Sequence, residues 1–158
     1  MNSLKRKRAN LLVQLLLQDL GASIWTAQDG IGPFDSIAIF RTKDKKLRLG
    51  AIVVKATEET PAQEFRFQEK LDSVCAMHHS NVPVFIFVVD VKASDIFYGL
   101  ASDIRAGGSS GKTVRCALRV CPMKDGKREL LQTILSQPDF GDCPEKTGQN
   151  INVYNAAL

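Results

Sequence analysis

Between residues 3 and 20 apolar positions at Leu4, Leu11, Leu12, Leu15, Leu16 and Leu20 give a helical spacing that stops at Gly21, a natural C-terminal cap. Residues 22–26 have the length of a short strand, and AQDGIGP after them is turn chemistry with two glycines and a proline. In DSIAIFR, residues 35–41, Ile37 and Ile39 alternate with Ser36 and Ala38, which predicts a strand closed by the polar turn TKDKK. Residues 47–57 predict the next strand, so the two form a hairpin. Residues 62–79 set Phe65, Leu71, Val74, Cys75 and Met77 among charges after a Thr60-Pro61 start signal, predicting a second helix. VPVFIFVVD, residues 82–90, is a run suited to a strand buried on both faces. Residues 95–100 and 112–120 predict further strands and 129–136 a short helix. The polar segment 137–158, with Pro138 and Pro144, predicts an irregular tail.

The order is helix, strand, hairpin, helix, buried strand, further strands. It predicts an α/β fold, a mixed β-sheet flanked by helices, in one domain over residues 1–136 with the tail after it. A chain of 158 residues, 44% apolar and 24% charged, has the composition of a globular protein with a single core. No apolar run reaches the roughly 18 to 20 residues that span a bilayer, so no membrane partner is expected. The apolar stretch 11–20 is interrupted by Gln14, Gln18 and Asp19 and lacks a small-residue cleavage site, which makes it a helix of the domain rather than a signal segment. Cys75, Cys116, Cys121 and Cys143 show no CxxC pair, the pattern of free thiols in a reduced, cytoplasmic protein. His78 and His79 are adjacent, so on a helix they point about 100° apart and suit a surface helix end better than a metal site.

Charge sharpens this picture at two places. The net charge of +4 is modest, yet Lys5, Arg6, Lys7 and Arg8 are consecutive. They form either an electrostatic footprint for nucleic-acid phosphate or a solvated helix start. AGGSSGKT, residues 106–113, fits a relaxed phosphate-loop pattern, but such a loop must leave a strand and open a helix, and TVRCALRVC after it alternates like a strand. A Gly/Ser turn between strands, with no nucleotide bound, is the expectation.

Lys55 is the residue that asks for an explanation. It ends the buried run Ala51, Ile52, Val53, Val54, and an ammonium there needs a partner or a path to water, so it either snorkels or faces a site. In a hairpin, Asp35 at the start of one strand lies beside the end of the next, so Asp35 and Lys55 meet at one sheet edge, as a site or as a structural ion pair.

Helix, GIGPFDSIAIF, LGAIVVKATEE, helix, then VPVFIFVVD resembles the PD-(D/E)XK nuclease superfamily, the restriction-endonuclease-like fold with its α-β-β-β-α-β core. More narrowly it resembles bacterial nuclease-like domains with a GxD strand and a QxK strand, found in anti-phage defence proteins. The likeness covers residues 3–105 and rests on element order more than on a rigid motif. It implies Mg-dependent phosphodiester cleavage, with Asp35 a metal carboxylate and Lys55 the catalytic lysine. A hard cation and an ammonium would neutralise the charge that builds on phosphorus.

Two positions depart from the family. Val53 stands where an acidic or Gln ligand is implied, and Asn10 where many relatives carry a helical glutamate. Glu64, Gln68 and Glu69, at the start of the predicted second helix, either supply the missing metal ligand or form a solvated face, and Glu58 and Glu59 are alternative partners for Lys55. The expected function is a nuclease-fold domain with a degraded metal site that binds nucleic acid or protein, a homodimer included. The alternative is an active Mg-dependent DNA endonuclease using Asp35, Lys55 and a ligand from Glu64 or Glu69.

Overall fold

The computed structural model describes residues 3–26 and 32–136. The predicted tail at 137–158 and Cys143 lie outside the described residues, as does most of the turn after residue 26. The first helix, α1 (Ser3–Asp19), buries Ala9, Val13 and Leu17 at i, i+4 and i+8. The leucines divide: Leu12, Leu16 and Leu20 pack partly against this core, whereas Leu4, Leu11 and Leu15 are exposed. Gly21 ends the helix at φ +95°, and Ala22 N–H donates back to the Leu17 carbonyl at 2.9 Å, a closure that needs the left-handed conformation glycine supplies.

Strands β1 (Ser23–Trp25), β2 (Ser36–Arg41) and β3 (Leu47–Thr57) form an antiparallel meander, so the predicted hairpin is present. After it come β4 (Glu64–Lys70), α2 (Leu71–His78) and β5 (Val84–Asp90), which runs parallel to β3 with every residue buried. β6 (Asp95–Leu100) returns antiparallel to β5, followed by β7 (Arg105–Ser110), β8 (Thr113–Arg119), β9 (Cys121–Pro122) and α3 (Met123–Leu135). The strands make two sheets, a large one in the order β1-β2-β3-β5-β6-β9 and a small one in the order β4-β8-β7. This is the expected α/β class, with parallel and antiparallel pairs mixed in the large sheet.

Its two faces bury different partners. On one, Val13 and Leu17 of α1 and Leu130 and Ile134 of α3 pack with Ile52, Val54, Phe85 and Phe87. On the other, Val53, Ile86 and Val88 pack with Val74 and Met77 of α2 and with Val114, Cys116 and Leu118 of β8. The small sheet thus takes the place that a second layer of helices would fill. It sits close: a Cβ at Gly99 of β6 would fall 2.6 Å from the Arg119 carbonyl oxygen of β8, so glycine is required there.

The helix predicted over residues 62–79 is corrected. Its first half is β4, because EFRFQEK alternates Phe65, Phe67 and Glu69 inward with Arg66, Gln68 and Lys70 outward. Only Leu71–His78 is helical. The Gly/Ser stretch predicted as a turn is largely strand β7, held by backbone pairing to β8 with no apolar side chain larger than that of Ala106. The predicted helix at 129–136 begins earlier, at Met123, where Gly126 lets the turn approach Tyr98. No helix among the described residues is long and apolar enough to cross a membrane.

Candidate functional site

Asp35 stands just before β2, where its N–H donates at 2.8 Å to the carbonyl of Ile52, the β3 residue that pairs with Ser36. Both oxygens of its carboxylate are engaged. Oδ1 accepts from the Arg6 guanidinium at 2.8 Å and Oδ2 accepts from Val54 N–H at 2.8 Å. Asp35 therefore joins α1 to the middle of β3.

Lys55 follows one residue later on the same strand and serves a different partner. Its Nζ donates to Glu69 Oε2 at 2.5 Å and lies 5.3 Å from the centroid of the Phe67 ring. The strand alternation explains this: Val53 and Lys55 face the small sheet, where Phe67 and Glu69 of β4 point inward. No hydrogen bond or ion pair joins Asp35 to Lys55 among the described residues. The ammonium at the end of the buried run has its counterion, and that counterion is Glu69.

Burial of the Glu69 carboxyl pushes its pKa up, but the hydrogen bond from Lys55, the Lys70 N–H and the two lysine charges outweigh it and hold the group below the ordinary glutamate range. Burial, followed by the nearby Glu69 charge, pushes the Cys116 thiol up against the opposing effect of Lys55. A raised, buried thiol is an unreactive one.

Magnesium fits this donor set poorly. Val53 is 3% exposed inside the core and has no oxygen to offer. Asp35 is occupied by Arg6 and Val54, Glu69 by Lys55, and Glu64 by Arg66 and Arg105. Asn10, one turn along α1 from Arg6, does carry a buried Oδ1 with no hydrogen-bond partner, but a neutral amide beside one salt-bridged carboxylate is little for an ion that sheds water reluctantly. Among the described residues no three His, Cys, Asp or Glu side chains are grouped to hold a metal. Glu64 and Glu69 lie on a strand, not on a helix across the hairpin, and neither reaches Asp35 with a hydrogen bond.

The basic run of α1 is also drawn into the fold. Lys5 pairs with Glu58 at 2.7 Å, Arg6 with Asp35, and Arg8 donates to Ser94 Oγ at 2.9 Å. Glu58 follows β3 and Ser94 follows β5, so three of the four cations fasten the start of α1 across one edge of the large sheet. Lys7 makes no such contact among the described residues. The Glu58 alternative for Lys55 is set aside by the same geometry.

AGGSSGKT forms the β7–β8 hairpin, turning at Gly111 with φ +64°, rather than a loop that opens a helix. What the sequence pattern did not single out is a set of arginines on the outward face of the small sheet: Arg66 on β4, Arg105 on β7, and Arg115 and Arg119 on β8. Their signal was present as basic positions of one parity, four residues apart, in RFQEK and TVRCALR. Assigning residues 62–79 to a helix concealed half of it.

Compared with protein-family models and with curated proteins, the sequence matches none of them.

Proposed function

We propose that this protein is a binding module on a nuclease-like fold, without a working metal centre, whose partner is nucleic acid. The element order supports the likeness: α1, the β1–β2–β3 meander, α2, then β5 parallel to β3, with β4 placed between β3 and α2. The observation that carries the non-catalytic reading is that all three candidate carboxylates are spent on the protein itself, Asp35 on Arg6 and Val54 N–H, Glu69 on Lys55, and Glu64 on Arg66 and Arg105. Lys55, held by a carboxylate at 2.5 Å, is a structural cation rather than one free to steady developing charge on phosphorus.

The test is cleavage of supercoiled plasmid and single-stranded DNA in magnesium or manganese, with Asp35→Ala and Lys55→Ala proteins beside the wild type. The expected result is no cleavage above the variants, together with binding of labelled duplex that weakens steeply with salt, as counterion release requires. Cleavage abolished by both substitutions would replace this reading with an active endonuclease that uses Glu64 or Glu69 after rearrangement.

A further inference from the structure

The small sheet has one face turned into the core and one turned outward, and the outward face is strongly basic. In cross-strand rows it presents Glu64 beside Arg119; Arg66, Ala117 and Arg105; Gln68, Arg115 and Gly107; and Lys70 beside Thr113. Five cations share the face with one carboxylate. Ala117 and Gly107 are the small residues in the middle rows, so the side chains of Arg66, Arg105 and Arg115 rise as walls around a low floor. The result is an open groove of about 740 Å³. Its β7 wall bends at a bulge between Gly107 and Ser109, where Gly108 takes φ +53°.

The charges on this face are available. Arg66 and Arg105 both contact Glu64, yet their side chains remain 84% and 73% exposed. The Arg115 and Arg119 side chains form no hydrogen bond or ion pair with the described residues. None of the exposed large apolar side chains lies on β4, β7 or β8, and Phe65 and Phe67 point inward. A lipid surface or a protein hot spot would call for an apolar anchor here, and single-stranded nucleic acid would call for an aromatic platform. Exposed arginines around a floor of small residues match the phosphates of a duplex, which the planar guanidinium grips in bidentate fashion.

We infer that the outward face of the β4–β8–β7 sheet is the nucleic-acid-binding surface of this protein, a groove that holds the backbone of a duplex through Arg66, Arg105 and Arg115, with Arg119 beside the groove on the same face. This rests on the proposed binding function and names its surface and partner. Contact is to phosphate and not to base edges, so affinity is independent of sequence. Glu64 acts against it by holding two of the arginines.

The experiment is fluorescence anisotropy of a labelled duplex DNA titrated with the full chain across a salt series. The variants are Arg115→Gln with Arg119→Gln, Lys5→Gln with Lys7→Gln, and Glu64→Gln, each checked by thermal melting. We expect the Arg115/Arg119 protein to bind at least about tenfold more weakly with a salt slope lower by about 2, the Lys5/Lys7 protein to bind nearly as wild type, and Glu64→Gln to bind a few-fold more tightly. The gain in Glu64→Gln cannot come from misfolding. Binding lost in the Lys5/Lys7 protein but kept in the Arg115/Arg119 protein would overturn this surface while leaving nucleic acid as the partner. No binding by the wild type, or binding only to vesicles rich in phosphatidylserine, would overturn both.

Discussion

At the edge of the large sheet Arg6 and Lys55 each end on a carboxylate, whereas on the outward face of the small sheet Arg115 and Arg119 reach no acidic group among the described residues. Residue type does not separate the two regions; register does. Alternation along β4 turns Glu69 inward to Lys55, and Asp35, one residue before β2, meets both Arg6 and the Val54 N–H. On the outward face, among the described residues, only Glu64 is present to answer five cations. A charge with a partner in a half-dry place holds the fold, and removing the partner exposes the cost. A charge left in water contributes little to the fold and remains available to an outside partner.

The contrast is broken most completely by Val54→Asp. Val54 is 5% exposed between α1 and the centre of the large sheet, so an unpaired carboxylate there has no hydrogen-bond donor and no water. The expected outcome is loss of the cooperative melt followed by circular dichroism. A wild-type melt would show that the strand does not run through the core.

Lys55→Met should be the next largest change, about 1–3 kcal/mol of lost stability by denaturant titration, because it strands Glu69, whose side chain is only 18% exposed. Replacing both, Lys55→Met with Glu69→Leu, should recover most of the loss. If the double variant is no better than the single, the pair is not coupled. The pair also sets an acid limit. Glu69 is held below its ordinary value of 4.5, so its contribution is fully present above that value and disappears as pH falls through the lower folded one. Lys55→Met should flatten this acid dependence, which a series of melts between about pH 5 and pH 2 would read.

Asp35→Ala should cost about 1–2 kcal/mol, most of it from leaving the Val54 N–H without an acceptor inside the sheet. Arg6 is 54% exposed, so its share is small. Asp35→Asn keeps an acceptor for Val54 and should cost less than half as much. Equal losses in the two variants would assign the energy to Arg6 instead.

The large sheet was legible because its signals were local and strong: DSIAIFR alternates, AIVVK and VPVFIFVVD are continuous apolar runs, and Gly21 stops α1. Lys55 was legible as a residue in need of a partner, but the partner depended on the parity of a strand taken for a helix. Residues 62–79 hold apolar positions that satisfy either period, and a seven-residue strand running directly into an eight-residue helix leaves no turn signal between them. β7 gave no signal because RAGGSS has no apolar side chain larger than that of Ala106; its structure comes from β8, a tertiary cause that local pattern does not contain. The basic run at the start of α1 read as free charge, since its partners Asp35, Glu58 and Ser94 are brought near only by the folded sheet edge.

The smallest expected effect tests the other side of the comparison. Arg115→Gln with Arg119→Gln should change stability by less than about 0.5 kcal/mol per site, because both side chains are exposed and glutamine still lies flat on a strand face. Neutral glutamine is preferred to glutamate here, since position 119 stands directly opposite Glu64 and position 115 opposite Gln68. A like-charge pair across strands would add a destabilisation of its own. If the melt of this double variant coincides with that of the wild type, these two arginines contribute nothing measurable to the fold, and their place on one exposed face is then explained by what they hold rather than by what they support. A clear drop in melting temperature would mean instead that the outward arginines have partners inside the protein, and the small sheet would join the edge of the large one as a region whose charges serve the fold.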